Sequence, residues 1–280
     1  MNHPHHCHKI GFSPVRQFCR EAFHKIRRSW NLPRCFGLCL LAALNSSCAG
    51  TSGASSRAGT TPPPAFSEDF ESGRLSTNIW TQVATGGNII AVQSEKTAHG
   101  RYALRVSCPA PSNKTWAFIT TQHVPEALRQ HHFGRAYMFI QPKLPRRHTI
   151  LIMAGTPGFP MNTYEEVAAN RGLWQLSYAE LRPHGDREDY HHAGSIPVNR
   201  WFCLEWEFND HPDHATLWVD GTVANDTGFV GKVTGRTNDI IGAFTDFSFG
   251  FRLWGAAPEA FDVYYDDLAL DTKRIGPFRK

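Results

Sequence analysis

The chain has little of what a membrane protein or a helical bundle needs. Its leading apolar run, Phe36–Leu44, is nine residues long, well short of the roughly twenty that cross a bilayer, so a multi-span membrane protein is excluded. Only Pro125–Gln130 and Thr163–Ala169 read as helical, and 23 Gly and 18 Pro scattered among short apolar runs argue against an all-helix fold. No repeat of fixed period points to a propeller or solenoid. No Cys-x-x-Cys pair offers a structural zinc site. Positive charge is also missing where nucleic acid would need it. The net charge is +4, but residues 1–47 hold seven Lys/Arg and one acid, leaving 22 basic and 24 acidic residues from Cys48 onward. A body near −2 has no basic excess for nucleic acid.

What is present begins with a leader. Arg27, Arg28 and Arg34 precede the apolar run, then come Asn45, Ser46, Ser47 and Cys48, the order of a secretory signal. A cysteine just after small residues resembles a lipoprotein lipobox and makes Cys48 the expected lipidation site. Leu44 lies one place further from the cysteine than that pattern asks, which leaves plain secretion and an uncleaved leader as alternatives. The expected organisation is a leader over 1–47, a Ser/Thr/Gly/Pro tether over 48–65 too polar to offset its ordering entropy, a domain over 66–272 and a tail over 273–280. The protein is read as an exported monomer, a cell-envelope lipoprotein or secreted, touching membrane only through a lipid anchor. With four cysteines in the leader and Cys48 lipidated, Cys108 and Cys203 remain in the body. A disulfide between them is the expectation in an oxidising compartment, with two buried thiols as the alternative.

From Phe66 to Leu270 the pattern alternates with a period of two. In 101–108, Tyr102, Leu104, Val106 and Cys108 share one face and Arg101, Ala103, Arg105 and Ser107 the other. Further segments of this kind over 116–123, 133–141, 148–155, 173–182, 201–208, 216–220, 244–254 and 261–270 predict nine or ten strands in an all-β antiparallel sandwich. Asp220-Gly221 supplies the turn of a tight hairpin.

Short fragments then carry a resemblance: Phe70-Glu71-Ser72-Gly73 with Trp80, the 97–104 segment, 201–205, the Trp218-Val219-Asp220-Gly221 hairpin and the closing 264–268. In these the chain resembles the concanavalin A-like lectin and glucanase superfamily, a jelly roll. It looks most like the core domain of fungal cellulose-induced secreted protein and related glucuronan and alginate lyases. The resemblance implies a structural Ca²⁺ held by Glu71, the His99 carbonyl and Asp266, with Asp267 able to replace Asp266, an all-oxygen set that suits calcium. It also implies an exported carbohydrate-active protein with polysaccharide as partner, a lyase cleaving uronate polymers by β-elimination. A non-catalytic lectin-like module is the alternative.

Such a lyase neutralises the sugar carboxylate, removes the C5 proton and protonates the leaving oxygen. Candidate catalytic residues are Arg135, Tyr137, His148, Gln175 and Tyr178, with Gln141, Arg252 and Trp254 for substrate binding. The core set Ala136, Met138 and Ile140 leaves Arg135, Tyr137 and Gln141 on the open face, and Phe247, Phe249, Phe251 and Leu253 leave Arg252 there too. Gln175 and Tyr178 have odd separation, so one of them at most faces the groove. Trp116 and Trp174 are further candidates for stacking on sugars, against the more common core role. A third reading, glycoside hydrolysis, uses Glu205 and Glu207 at alternate positions of one strand, where Asn209 stands for a third acid.

Overall fold

The computed structural model describes residues 62–113, 115–156, 163–180, 187–210, 213–228 and 243–278. The leader, Cys48 and most of the tether lie outside them. The described strands are β1 (Phe66–Glu68), β2 (Thr81–Ala84), β3 (Ile89–Gln93), β4 (Ala103–Cys108), β5 (Ser112–Asn113), β6 (Trp116–Thr121), β7 (His131–Gln141), β8 (Thr149–Gly155) and β9 (Thr163–Asn170). They continue as β10 (Leu173–Glu180), β11 (Arg187–Ser195), β12 (Trp201–Asp210), β13 (Asp213–Val219), β14 (Thr222–Gly228), β15 (Asp246–Leu253), β16 (Ala256–Ala257) and β17 (Phe261–Asp271). A single 3₁₀ turn, Glu126–Leu128, is the one described helical element.

Two antiparallel sheets stack face to face. One, of eight strands, runs β14-β13-β12-β7-β17-β4-β3, with β1 paired to β17; the other, of seven, runs β11-β10-β9-β8-β15-β6-β2. First and last strands therefore meet, Phe66 opposite Leu270. Alternation decides what fills the space between. Leu104, Val106, Ala136, Met138, Ile140, Leu204, Trp206 and Phe208 come from one sheet; Trp174, Leu176, Phe247, Phe249 and Phe251 come from the other, all buried in one cluster. Large rings meet across the interface, as in Trp206 against Phe249 at 6.0 Å. Gly134, opposite Trp206 in register, has no space for a side chain, since a Cβ there would lie 2.0 Å from the indole.

Three sequence expectations are corrected. Residues 163–170 form a strand, not a helix: Tyr164, Glu166 and Ala168 point one way, Glu165, Val167 and Ala169 the other, and β9 is paired on both sides. Pairing in the sheet overrides the helix propensity of Glu-Glu-Val-Ala-Ala. Cys108 and Cys203 are free and buried. Their strands are separated by β7 and β17, so three strand spacings, about 14 Å, divide them, beyond disulfide reach. Trp174 is a core residue, which removes it as a sugar platform.

Candidate functional site

The outer face of the seven-stranded sheet carries a second buried layer, Phe118, Ile150, Met153, Tyr164, Ala168 and Ala179. Its polar residues sit in register with these: Glu166 pairs with Met153 and with Ser177, and Gln175 with Ala168. Two bulges set which side chains reach this face. Leu151 is the extra residue of β8 against β9, and Gly250 widens β15 against β8. Leu151 and Ile152 consequently both face the core, while Ile150 returns to the outer side. Gly250 has φ +148 and a Cβ there would meet the Ala117 carbonyl at 2.0 Å, so only glycine fits. The bulges expose carbonyls inward, and Tyr265 of β17 reaches across the core to them, its hydroxyl 2.9 Å from Leu151 O and 2.6 Å from Gly250 O.

At the β8 end of that face His148 Nε2 lies 2.6 Å from Glu166 Oε1. Ser177 Oγ donates to the same oxygen at 2.5 Å, and the Gln175 amide is 3.3 Å from His148 Nε2 and 3.0 Å from Ser177 Oγ. Asn170 Nδ2 donates to Gln175 Oε1 at 3.1 Å. The Glu166 side chain is 1% exposed and that of His148 20%, so the carboxylate is sealed beneath an imidazole that reaches the surface. Above them opens a cavity of ≈ 570 Å³ bounded by Arg146, Arg147, Arg171, His192 and Trp254. Burial, then Arg171 and His148, hold His192 below the ordinary imidazole range. Arg252 packs its guanidinium 4.2 Å over the Trp254 ring.

The structure divides the predicted catalytic set. His148, Gln175, Arg252 and Trp254 belong to this face. Tyr178 points into the core, as its odd separation from Gln175 requires. Arg135, Tyr137 and Gln141 lie on the far side of the molecule, on the outer face of the eight-stranded sheet, and cannot act with His148. There the C-terminal segment covers them: Arg135 donates to Gly276 O at 3.3 Å and stacks 4.1 Å over Phe278, and Phe278 N donates to the Tyr137 hydroxyl at 2.9 Å. Gln141 instead bonds Asp262 and the Tyr264 hydroxyl. Glu205, also under this segment, takes two hydrogen bonds from Arg274 and one from Gly276 N, and Glu207 bonds His131. Glu205 is thereby sealed at 1% exposure while Glu207 keeps 19%, so each has a partner that holds it to the sheet.

Glu71 and Asp266 meet one turn from two sides. Glu71 Oε1 accepts from Arg101 N and Tyr102 N at 2.8 and 2.9 Å, which hold its carboxyl below the usual range. Asp266 Oδ2 accepts from Ala98 N and His99 N at 2.8 and 3.1 Å. Burial and neighbouring Asp267 push Asp266 up to about 6 against these hydrogen bonds. The His99 side chain bonds Asp267 at 2.5 Å. This oxygen-rich, negatively crowded turn suits a hard cation in donor type. Among the described residues no three His, Cys, Asp or Glu side chains converge as metal ligands, so carbonyls would have to complete any such site.

Glu166, Ser177, Asn170 and the three arginines are site residues that sequence reasoning missed. Reading 163–170 as a strand would have put Glu166 in phase with Ala168, hence beside Gln175.

No family model matches the chain, and no curated protein does. Among solved structures it is similar to the cellulose-induced protein Cip1, at 19% identity and TM-score 0.58 over 76% of this chain and all of that one. It is also similar to an endo-β-1,4-glucuronan lyase from the fungus Trichoderma reesei, at 12% identity and TM-score 0.52 over 75% of this chain and 96% of that one. At such identities the likeness carries the architecture alone, a two-sheet antiparallel sandwich of jelly-roll form.

Proposed function

We propose that this jelly roll binds an acidic polysaccharide in the His148 cavity and cleaves it by β-elimination. The observation that carries the reading is the set of groups gathered there: an imidazole held by a buried carboxylate, two amides, and an arginine rim beside an indole. The similarity to a protein described as a glucuronan lyase supports the same class. Arg146, Arg147 and Arg171 attract the polyanion, and the amides of Gln175 and Asn170 offset charge on the sugar carboxylate as an enolate develops. His148 takes the C5 proton, the C4–O bond breaks as the C4=C5 bond forms, and the imidazolium returns its proton to the leaving oxygen. Glu166 orients the ring and stabilises the imidazolium.

The test is ultraviolet absorbance of the protein incubated with uronate polymers, since elimination creates an absorbing unsaturated sugar and hydrolysis does not. His148→Gln should abolish the rise, and Arg135→Ala, on the opposite sheet, should leave it. Binding with no rise in absorbance would establish the lectin-like alternative. Export with a lipid on Cys48, and a calcium ion at the Glu71, His99 carbonyl and Asp266 turn, belong to the same proposal.

A further inference from the structure

The cations of this domain are of two kinds. Arg105 is paired with Asp262, Arg200 with Asp220 and Arg274 with Glu205. Lys143, Arg146 and Arg147, three cations within five residues, have side chains that make no hydrogen bond or ion pair among the described residues. In a body carrying a small acidic excess, such a concentration of charge without an ion-pair partner among the described residues is a feature of the surface and not of the average composition.

These residues bound two cavities. Arg146 and Arg147 form the wall of the His148 cavity, and with Lys143, Pro145, Pro258 and Glu259 they line a second cavity of ≈ 450 Å³. The two spaces share that arginine pair. The partition is built into the backbone: Trp254 N donates to His148 O at 2.9 Å, joining the two loops. Gly255, at φ +117, leaves its α-carbon bare where the Arg147 stem passes, 3.4 Å from a Cβ placed there. The β5–β16 pair, with Ala256 opposite Asn113, fixes the far side. Lys143, Arg146 and Arg147 against the single acid Glu259 give the described lining of the second cavity a net positive charge.

We infer that the second cavity is a further subsite for a carboxylated sugar, holding a residue of the same chain that occupies the His148 cavity, with Arg146 and Arg147 between the two. The inference rests on the proposed polyuronate reading and deepens it. The ligand is a chain carrying one carboxylate on successive sugars, and affinity grows with chain length because each added residue brings a charge to a cation of this wall. A neutral glucan, which lacks those carboxylates, gains nothing from the second cavity.

The test uses residues that line the second cavity alone. Calorimetric titration with oligoglucuronates of two and six residues is carried out on the full chain and on Lys143→Glu and Glu259→Gln. Both positions are exposed, so folding is unaffected and far-ultraviolet spectra confirm it. Lys143→Glu should weaken hexamer binding about fivefold at low salt, the scale of an exposed charge pair, and Glu259→Gln should tighten it by about twofold. Dimer binding should be unchanged, and both differences should fade at 0.5 M salt. Equal effects on dimer and hexamer, or the same sign for both variants, would overturn the inference. If the variants behave as expected with no rise in absorbance, the subsite stands and the lyase reading fails. If absorbance rises while the variants leave hexamer binding unmoved, the reverse holds; hexamer no tighter than dimer in the unmodified chain would also refute the subsite.

Discussion

Replacing His132 with leucine should flatten the acid sensitivity of this domain. His132 is fully buried in β7, ringed by Phe208, Phe244 and Phe247 at 5.6, 5.0 and 4.8 Å. Burial pushes its imidazole down from 6.5 to about 3. The folded state therefore keeps it neutral while the unfolded chain takes up a proton below pH 6.5. A depressed histidine stabilises above the unfolded value and loses that contribution as pH falls. At pH 5 the unfolded group is about 1.5 units below its midpoint, so at 1.36 kcal/mol per unit the loss is about 2 kcal/mol. Asp266, raised to about 6 from 3.8, acts with the opposite sign, because its stability falls as pH rises between those values. It is common to both proteins and cancels in the comparison. Urea unfolding at pH 7.5 and pH 5.0 measures the effect: the leucine variant should lose about 2 kcal/mol less than the parent between the two, about 1 M in midpoint for ordinary denaturant slopes. Identical losses in both proteins would refute the idea that a neutral core histidine sets the acid limit.

Other perturbations test the rest of the account. Gly134→Ala places a Cβ 2.0 Å from Trp206 and should cost about 1–3 kcal/mol by overpacking, read from thermal unfolding. Tyr265→Phe removes the hydroxyl that meets the carbonyls of both bulges. It should cost about 1–3 kcal/mol and lower activity as well, because the same bulges orient His148 and Arg252. Arg274→Ala removes the counter-charge and two of the three hydrogen bonds of Glu205, whose side chain is 1% exposed, and should destabilise by about 2–3 kcal/mol while specific activity of the folded fraction is unchanged. A chelator should lower the melting temperature if calcium occupies the Glu71 and Asp266 turn; an unaltered melt after verified metal removal would eliminate that ion as a stabilising element.

Period-two alternation gave the faces of 133–141 and 247–253 correctly, because in a sandwich each strand needs only one buried side and its own residues declare it. It could not say which outer face is which. Arg135 and His148 both point away from the core, yet on opposite sheets, and only strand order separates them. Alternation also breaks at bulges: Leu151 and Ile152 face inward in succession, a step that only the pairing of β8 with β9 and β15 reveals. Glu166 escaped notice because Glu-Glu-Val-Ala-Ala has helical propensity, and β pairing, a non-local term, outweighs it. The expected disulfide failed for a similar reason, since cysteine number carries no information about the two strands that separate Cys108 from Cys203. The C-terminal segment looked like a tail in the sequence; its anchors, Glu205, Arg135 and Tyr137, lie far away in the chain.

The most direct test of the central claim is the absorbance of glucuronan incubated with the parent protein, His148→Gln and Arg135→Ala, compared at equal concentrations of folded protein. The account predicts a rise for the parent and for Arg135→Ala and none for His148→Gln. A rise that survives the loss of His148 but disappears with Arg135 would place the chemistry on the other sheet and contradict it.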